Sequence, residues 1–383
     1  MKNFNLFAVA TAMLTLVSCA KETEAPPTPD NGEKMAVTLQ IASPDDVRSI
    51  EAPALDGEKV TLASGIVFFM TTGGDVVSVQ DLKPAEALTA DGQLFAGVSK
   101  SAKQVYIVGN SATLPADDVT KLKACATMIG LKAVSSSILS QQQTHKNVVV
   151  VNALDATNFP DHTGLIVASG VEPIKYKACV LLAPVLSRIQ IADILTIDPN
   201  IVSFDFAGVA VDGYYTSFYM ATEKGGAGVN YTVNQTAGSV GVPATTMCDM
   251  PTVAIPDGGD KKITAAEAKA TTGTLVWAYQ TTPTLGGATF VPRIIVKLTN
   301  IVLRNADGTT TSIAGPKFLT VTGYKAGSTQ VLNFEAGKIY NIPAGGFTFK
   351  YQDLDNDPNP LKISVNVCVA IKPWTVVGVT PQL

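Results

Sequence analysis

Two stretches of this chain, one towards each end, alternate apolar and other residues without a break. In the first, Met35, Val37, Leu39 and Ile41 alternate with Ala36, Thr38 and Gln40. In the second, Leu361, Ile363, Val365, Val367, Val369 and Ile371 alternate with Lys362, Ser364, Asn366, Cys368 and Ala370. A period of two sends one set of side chains to one face, which fits a half-buried strand and not a helix. Between them lie further strand-like runs at 66–70, 105–110, 148–151, 165–168, 204–211, 214–220, 275–279, 293–298 and 317–322. Turn chemistry such as Asp257-Gly258-Gly259 and Asp307-Gly308 separates the later ones. One helix is expected where Asp117 and Asp118 complement an N-terminal dipole and Val119, Leu122, Ala126 and Ile129 fall on one face. The chain therefore reads as mostly β, built of antiparallel sandwiches or open barrels.

At 383 residues it is long enough for two domains with cores of their own, expected at 49–190 and 191–360. A net charge of -4 with no basic run argues against nucleic acid as a partner. Of the 28 cationic residues only Arg48, Arg188, Arg293 and Arg304 are arginine, so the place of each is informative. Nothing carries catalysis: His145 and His162 share no metal spacing, and there is no HExxH, phosphate loop or nucleophile elbow. Asp353, Asp355 and Asp357 begin like a calcium loop, but Pro358 stands where the turn glycine belongs and Ser364 where the bidentate glutamate belongs. No enzyme activity, cofactor or metal is expected. Cys125, Cys179, Cys248 and Cys368 form no CxxC; they are read as buried free thiols, with one disulfide the alternative, and the spacing pairs none of them.

The chain's first residues read as an export leader. Lys2 precedes an apolar stretch over 4–17, and Leu16-Val17-Ser18-Cys19 has the pattern of a bacterial lipobox, so 1–19 is expected to be a signal peptide with Cys19 lipidated. The following Pro- and acid-rich residues, 20–34, cannot bury a core and form a tether. The acidic residues after Cys19 resemble the surface-export signal of Bacteroidota lipoproteins. The early strand ends in an irregular loop, Ser43-Pro44-Asp45-Asp46, followed by Arg48 and Ser49.

In their order along the chain these features resemble the major fimbrillins of Porphyromonas and Bacteroides, the pilins of type V fimbriae. The resemblance is carried by Cys19 with its acidic tether, the 35–41 strand followed by Arg48, the 105–110 strand followed by a helix, and Pro292-Arg293 in a later strand. Gly337-Lys338-Ile339-Tyr340-Asn341-Ile342 and the tail from Val365 to Pro373-Trp374 carry the rest; residues 222–262 do not align. It implies two tandem β-sandwich (transthyretin-like) domains with a short helix in the first. It also implies a lipidated precursor in the outer membrane, cut between Arg48 and Ser49 by an Arg-specific surface protease, which detaches residues 20–48. Met35, Val37, Leu39 and Ile41 would then be the displaced strand. Residues 361–383 would supply the donor, with Ile363, Val365, Val367, Val369 and Ile371 as groove-filling side chains and Pro373-Trp374 as a tail motif. The partners implied are identical subunits head to tail, with anchor and tip subunits, in fimbriae serving adhesion and biofilm formation. The competing readings are an anchor or tip subunit, and a lipid-anchored glycan-binding lipoprotein, which would want exposed aromatic platforms.

Overall fold

The computed structural model describes residues 33–42, 60–88, 92–142, 146–154, 160–168, 170, 174–223, 226, 229–230, 247–249, 251–272, 274–284, 291–358 and 365–373. Strands dominate throughout, as the alternating and β-branched runs require.

The N-terminal half is one sheet. Its strands are β1 (Lys34–Ala42), β2 (Gly65–Met70), β3 (Val76–Asp81), β4 (Gln93–Ser99) and β5 (Gln104–Gly109), then, after the short β6 (Ser135–Ser137), β7 (Val150–Ala153), β8 (Thr163–Ala168) and β9 (Tyr176–Pro184). The order across the sheet is β3-β2-β5-β7-β9-β1-β4, with β8 pairing β5 and β9. Neighbours are antiparallel except β1 and β9, which run parallel. The sheet curls until its two edge strands meet, and there side chains replace the ladder. Gln80 Nε2 of β3 donates to the Ala96 carbonyl at 3.2 Å, and Gln93 of β4 accepts from the Lys83 amide at 2.7 Å.

Strands β2 and β5 are buried along their length, so both faces are covered, which is why they read as continuous apolar runs. Beside them sit α1 (Pro84–Ala87), α2 (Ala116–Lys123) and α3 (Met128–Ala133). The expected single helix is thus two. Thr127 caps α3 by accepting from the Gly130 amide, restarting the helix after a break. Consequently Leu122 is buried on α2 as expected, but Ala126 lies in the connection and Ile129 is 84% exposed on α3.

The C-terminal half is layered. One layer pairs β10 (Ser187–Ile191) with strands Trp277–Thr281 and Lys338–Ile342, and β11 (Asp193–Thr196) with Lys262–Thr264 and Thr348–Phe349. The other is built on β12 (Ile201–Asp212), antiparallel to Arg293–Arg304, which in turn pairs Lys317–Ala326. Aromatic rings fill the space between them: Phe206 meets Trp277 at 5.5 Å, Phe204 meets Phe349 at 6.1 Å, and Phe334 stacks on Tyr340 at 3.8 Å.

The expected 214–220 strand is divided into β13 (Tyr214–Tyr215) and β14 (Ser217–Tyr219) because it leaves its own layer. There β14 pairs β6 antiparallel, the Tyr106 hydroxyl donates to the Met220 carbonyl at 2.7 Å, and Gln142 exchanges two hydrogen bonds with the Gln280 backbone. Lys132 and Glu223 close the seam at 2.6 Å, and one buried apolar cluster runs through both halves.

Among the buried tyrosines, Tyr106, Tyr279, Tyr324 and Tyr340 have their hydroxyls bonded. Burial raises all four above the ordinary phenol value, Tyr340 to about 12, and the Asp249 carboxylate raises Tyr279 further. The folded chain therefore keeps protons that the unfolded chain releases above about pH 10, so stability is intact below that pH and falls as it rises. The loss is about 1.4 kcal/mol per pH unit for each group. Absorbance at 295 nm should show these tyrosines ionising together with unfolding, and their titration in a folded chain at pH 10 would contradict their burial.

Candidate strand-insertion site

The early alternating strand is observed as β1, and the four apolar residues of the expected displaced strand are those that point inward. Val37 and Leu39 are fully buried, with Met35 at 7% and Ile41 at 3% exposure. Ala36 faces out, and Thr38 is half-buried. Although it opens the described chain, β1 is an interior strand. It lies antiparallel to β4, with Leu39 opposite Gln93, and parallel to β9, with Leu39 opposite Ala178. Ala36 alone faces both Ala96 and Gly97, a bulge made by the left-handed φ of +72° at Gly97. Burying four apolar side chains at about 1.5–3 kcal/mol each makes β1 worth on the order of 10 kcal/mol to the sheet. Just before it, Glu33 pairs with Lys100 at 2.6 Å, and that hydrogen bond and charge hold the Glu33 carboxyl below the usual carboxylate range.

Taking β1 away would bare the backbone groups of both neighbours and an apolar slot between them, an arrangement that recruits another strand. Sequence reasoning identifies the occupant but not the walls, β4 and β9.

The tail differs from expectation. Its alternation suggests one strand over 361–371, but the structure divides it into Val365–Cys368 and Ala370–Pro373. The first runs parallel to Lys317–Ala326, with Val367 opposite Tyr324, and the second antiparallel to Lys338–Ile342, with Ile371 opposite Tyr340 and Pro373 opposite Lys338. Between them Val369 is buried and its amide donates to the Lys325 carbonyl at 2.6 Å. The chain changes layers at Val369, closing the sandwich edge, so a single face cannot persist. Cys19, Arg48, Ser49, Ile363 and Trp374 lie outside the described residues.

The other arginines have structural places. Arg188 is fully buried and donates to Gln190, Arg293 pairs with the buried Asp212, and Arg304 sits in the ladder opposite Thr310. Trp277 is buried in the core and offers no platform. Cys125, Cys179 and Cys248 are half-buried rather than buried. Burial lowers the His162 pKa, and His145 lies outside the described residues. Among the described residues no group of three His, Cys, Asp or Glu could hold a metal, and no helix is long and apolar enough to cross a membrane. Asp353 accepts from the Lys350 amide and Asp355 from the Asp357 amide.

No family model and no curated protein matches the sequence. Solved structures match its fold. A candidate cell adhesion protein from Bacteroides eggerthii aligns with a TM-score of 0.55 at 17% identity, over 91% of this chain and 98% of its own. Another from Parabacteroides distasonis aligns at 0.52 and 12% identity, over 90% and 99%. The fimbrilin FimA of Porphyromonas gingivalis is a looser likeness, at 0.47 and 13% identity over 90% and 98%. The chain thus has the fold of Bacteroidota proteins assigned to cell adhesion. At these identities the likeness is one of fold.

Proposed function

We propose that this protein is a structural subunit of surface fimbriae, most consistent with the shaft, that polymerises by protease-activated strand exchange. The observation that carries the reading is the place of β1, an interior strand with no described strand before it, so that one cut after it separates a complete sheet element from the rest of the chain. The precursor would be lipidated at Cys19 in the outer membrane. An Arg-specific protease would cut between Arg48 and Ser49, freeing β1 and the anchor together. The slot would then take the tail strand of a second copy, whose Ile363, Val365, Val367, Val369 and Ile371 repeat the spacing of Met35, Val37, Leu39 and Ile41. To donate, that tail must leave its own two layers. Head-to-tail insertion does not close on itself and so builds a filament, which anchor and tip subunits would bound and which would serve adhesion and biofilm formation.

The test is the mass and N-terminal sequence of protein sheared from the cell surface. A chain beginning at Ser49 in SDS-resistant ladders is the expected result. A lipidated, monomeric chain beginning at Cys19 would overturn the shaft reading and leave an anchor subunit or a glycan-binding lipoprotein.

A further inference from the structure

The slot has two unlike walls. Strand β9 is paired on its far side by β7 and β8 and stays in the sheet whether or not β1 is present. Strand β4 has β1 as its sole ladder partner among the described residues. Once β1 leaves, β4 keeps no backbone ladder among the described residues.

Among the described residues, three side-chain bonds then tie β4 to β3 and the turn after it. The Gln93 side chain reaches across the sheet's open seam to β3, its Oε1 accepting from the Lys83 amide at 2.7 Å and its Nε2 donating to the Asp81 carbonyl at 3.4 Å. From the other side, Gln80 Nε2 donates to the Ala96 carbonyl at 3.2 Å. Gln93 is only 4% exposed, and its primary amide can both donate and accept across the gap. Phe95 and Val98 anchor β4 to the core, Phe95 with its ring edge-on to Phe69 at 5.4 Å, but apolar contacts leave the strand's backbone groups unpaired.

We propose that Gln93, assisted by Gln80, is the positioning residue of the strand slot: it latches β4 to β3 so that the slot keeps its second wall while empty. This rests on the reading of β1 as a removable strand. With β1 in place the latch is redundant, because the β1–β4 ladder holds the wall. With β1 gone it separates a slot ready for a strand from a loose flap that must be re-formed around each incoming one.

The experiment uses the full chain with a site-specific protease sequence inserted between residues 48 and 49, so that cutting does not depend on Arg48. The probe is a fluorescent peptide of residues 33–42, the chain's own β1, offered in excess after cutting, alongside amide hydrogen exchange over 93–99. Wild type, Gln93→Leu, which keeps the volume and removes the bonds, and the milder Gln80→Ala are compared. Uncut, all three should protect β4 alike. Cut and emptied, Gln93→Leu should exchange β4 amides and lose peptide-uptake rate by about tenfold, with Gln80→Ala between it and wild type. Equal protection and equal uptake in the emptied variants would overturn the latch. A wild-type chain that never trades β1 for the peptide would overturn both the latch and the removable strand. Normal uptake of the 33–42 peptide with no uptake of a 361–373 peptide would leave the latch standing and overturn polymerisation through the tail.

Discussion

Leu39→Asp is expected to leave almost no soluble, folded chain. Leu39 is fully buried at the middle of β1, opposite Gln93 on one side and Ala178 on the other. The substitution removes about 2–3 kcal/mol of apolar burial and places a carboxylate where no water reaches it, at a further cost of several kcal/mol. The sum is comparable with the roughly 5–15 kcal/mol by which a domain is stable. Leu39→Ala should be milder, at about 2–5 kcal/mol. Thr38→Asp, on the opposite face of the same strand, should be nearly neutral. Soluble yield and thermal melting distinguish these cases, and a soluble Leu39→Asp chain melting like wild type would show that β1 is not an interior strand.

The second large effect is expected at Asp212. Its carboxylate is completely buried and accepts from Arg293, which stands opposite it in the ladder and is itself only 19% exposed. Asp212→Ala leaves a guanidinium charge inside the sheet without that counter-charge and should cost about 3–5 kcal/mol in urea unfolding. Adding Arg293→Met should recover most of the loss, because the pair's own desolvation cost is removed with it. If the double variant is as unstable as the single, the loss comes from packing rather than from stranded charge.

These places differ in how readable they are from sequence. The inward set of β1 follows from the alternation of Met35, Val37, Leu39 and Ile41, since strand geometry is local and one side buried is enough to specify it. The wall β9 is more than a hundred residues further on, and no local pattern announces a parallel neighbour at that distance. Gln93 and Gly97 escape notice for another reason. A glutamine and a glycine within an otherwise ordinary strand gain meaning only when the sheet curls and brings β3 beside β4. The tail shows the opposite failure, in which the local signal is strong and tertiary context overrides it: alternation through Val369 reads as one strand until two layers compete for it. Helical spacing continued past Lys123 puts Ile129 on a buried face, whereas Thr127 starts a new helix there. The sandwich layers are legible from their apolar runs. The seam joining the halves is not, because β6 and β14 are short serine-bearing segments with little pattern.

The two-sided ladder of β1 also has a mechanical meaning. Bonded along both flanks, the strand is loaded in shear when pulled along its axis, so every hydrogen bond and every inward side chain must yield together. Pulled outward from one end, the same bonds break in succession, each at small force. Severing the chain after β1 therefore does not eject it. The strand would leave by peeling, from Ala42 inward or from the Glu33–Lys100 clasp, and the faster of those two routes would set how long a cut subunit stays silent.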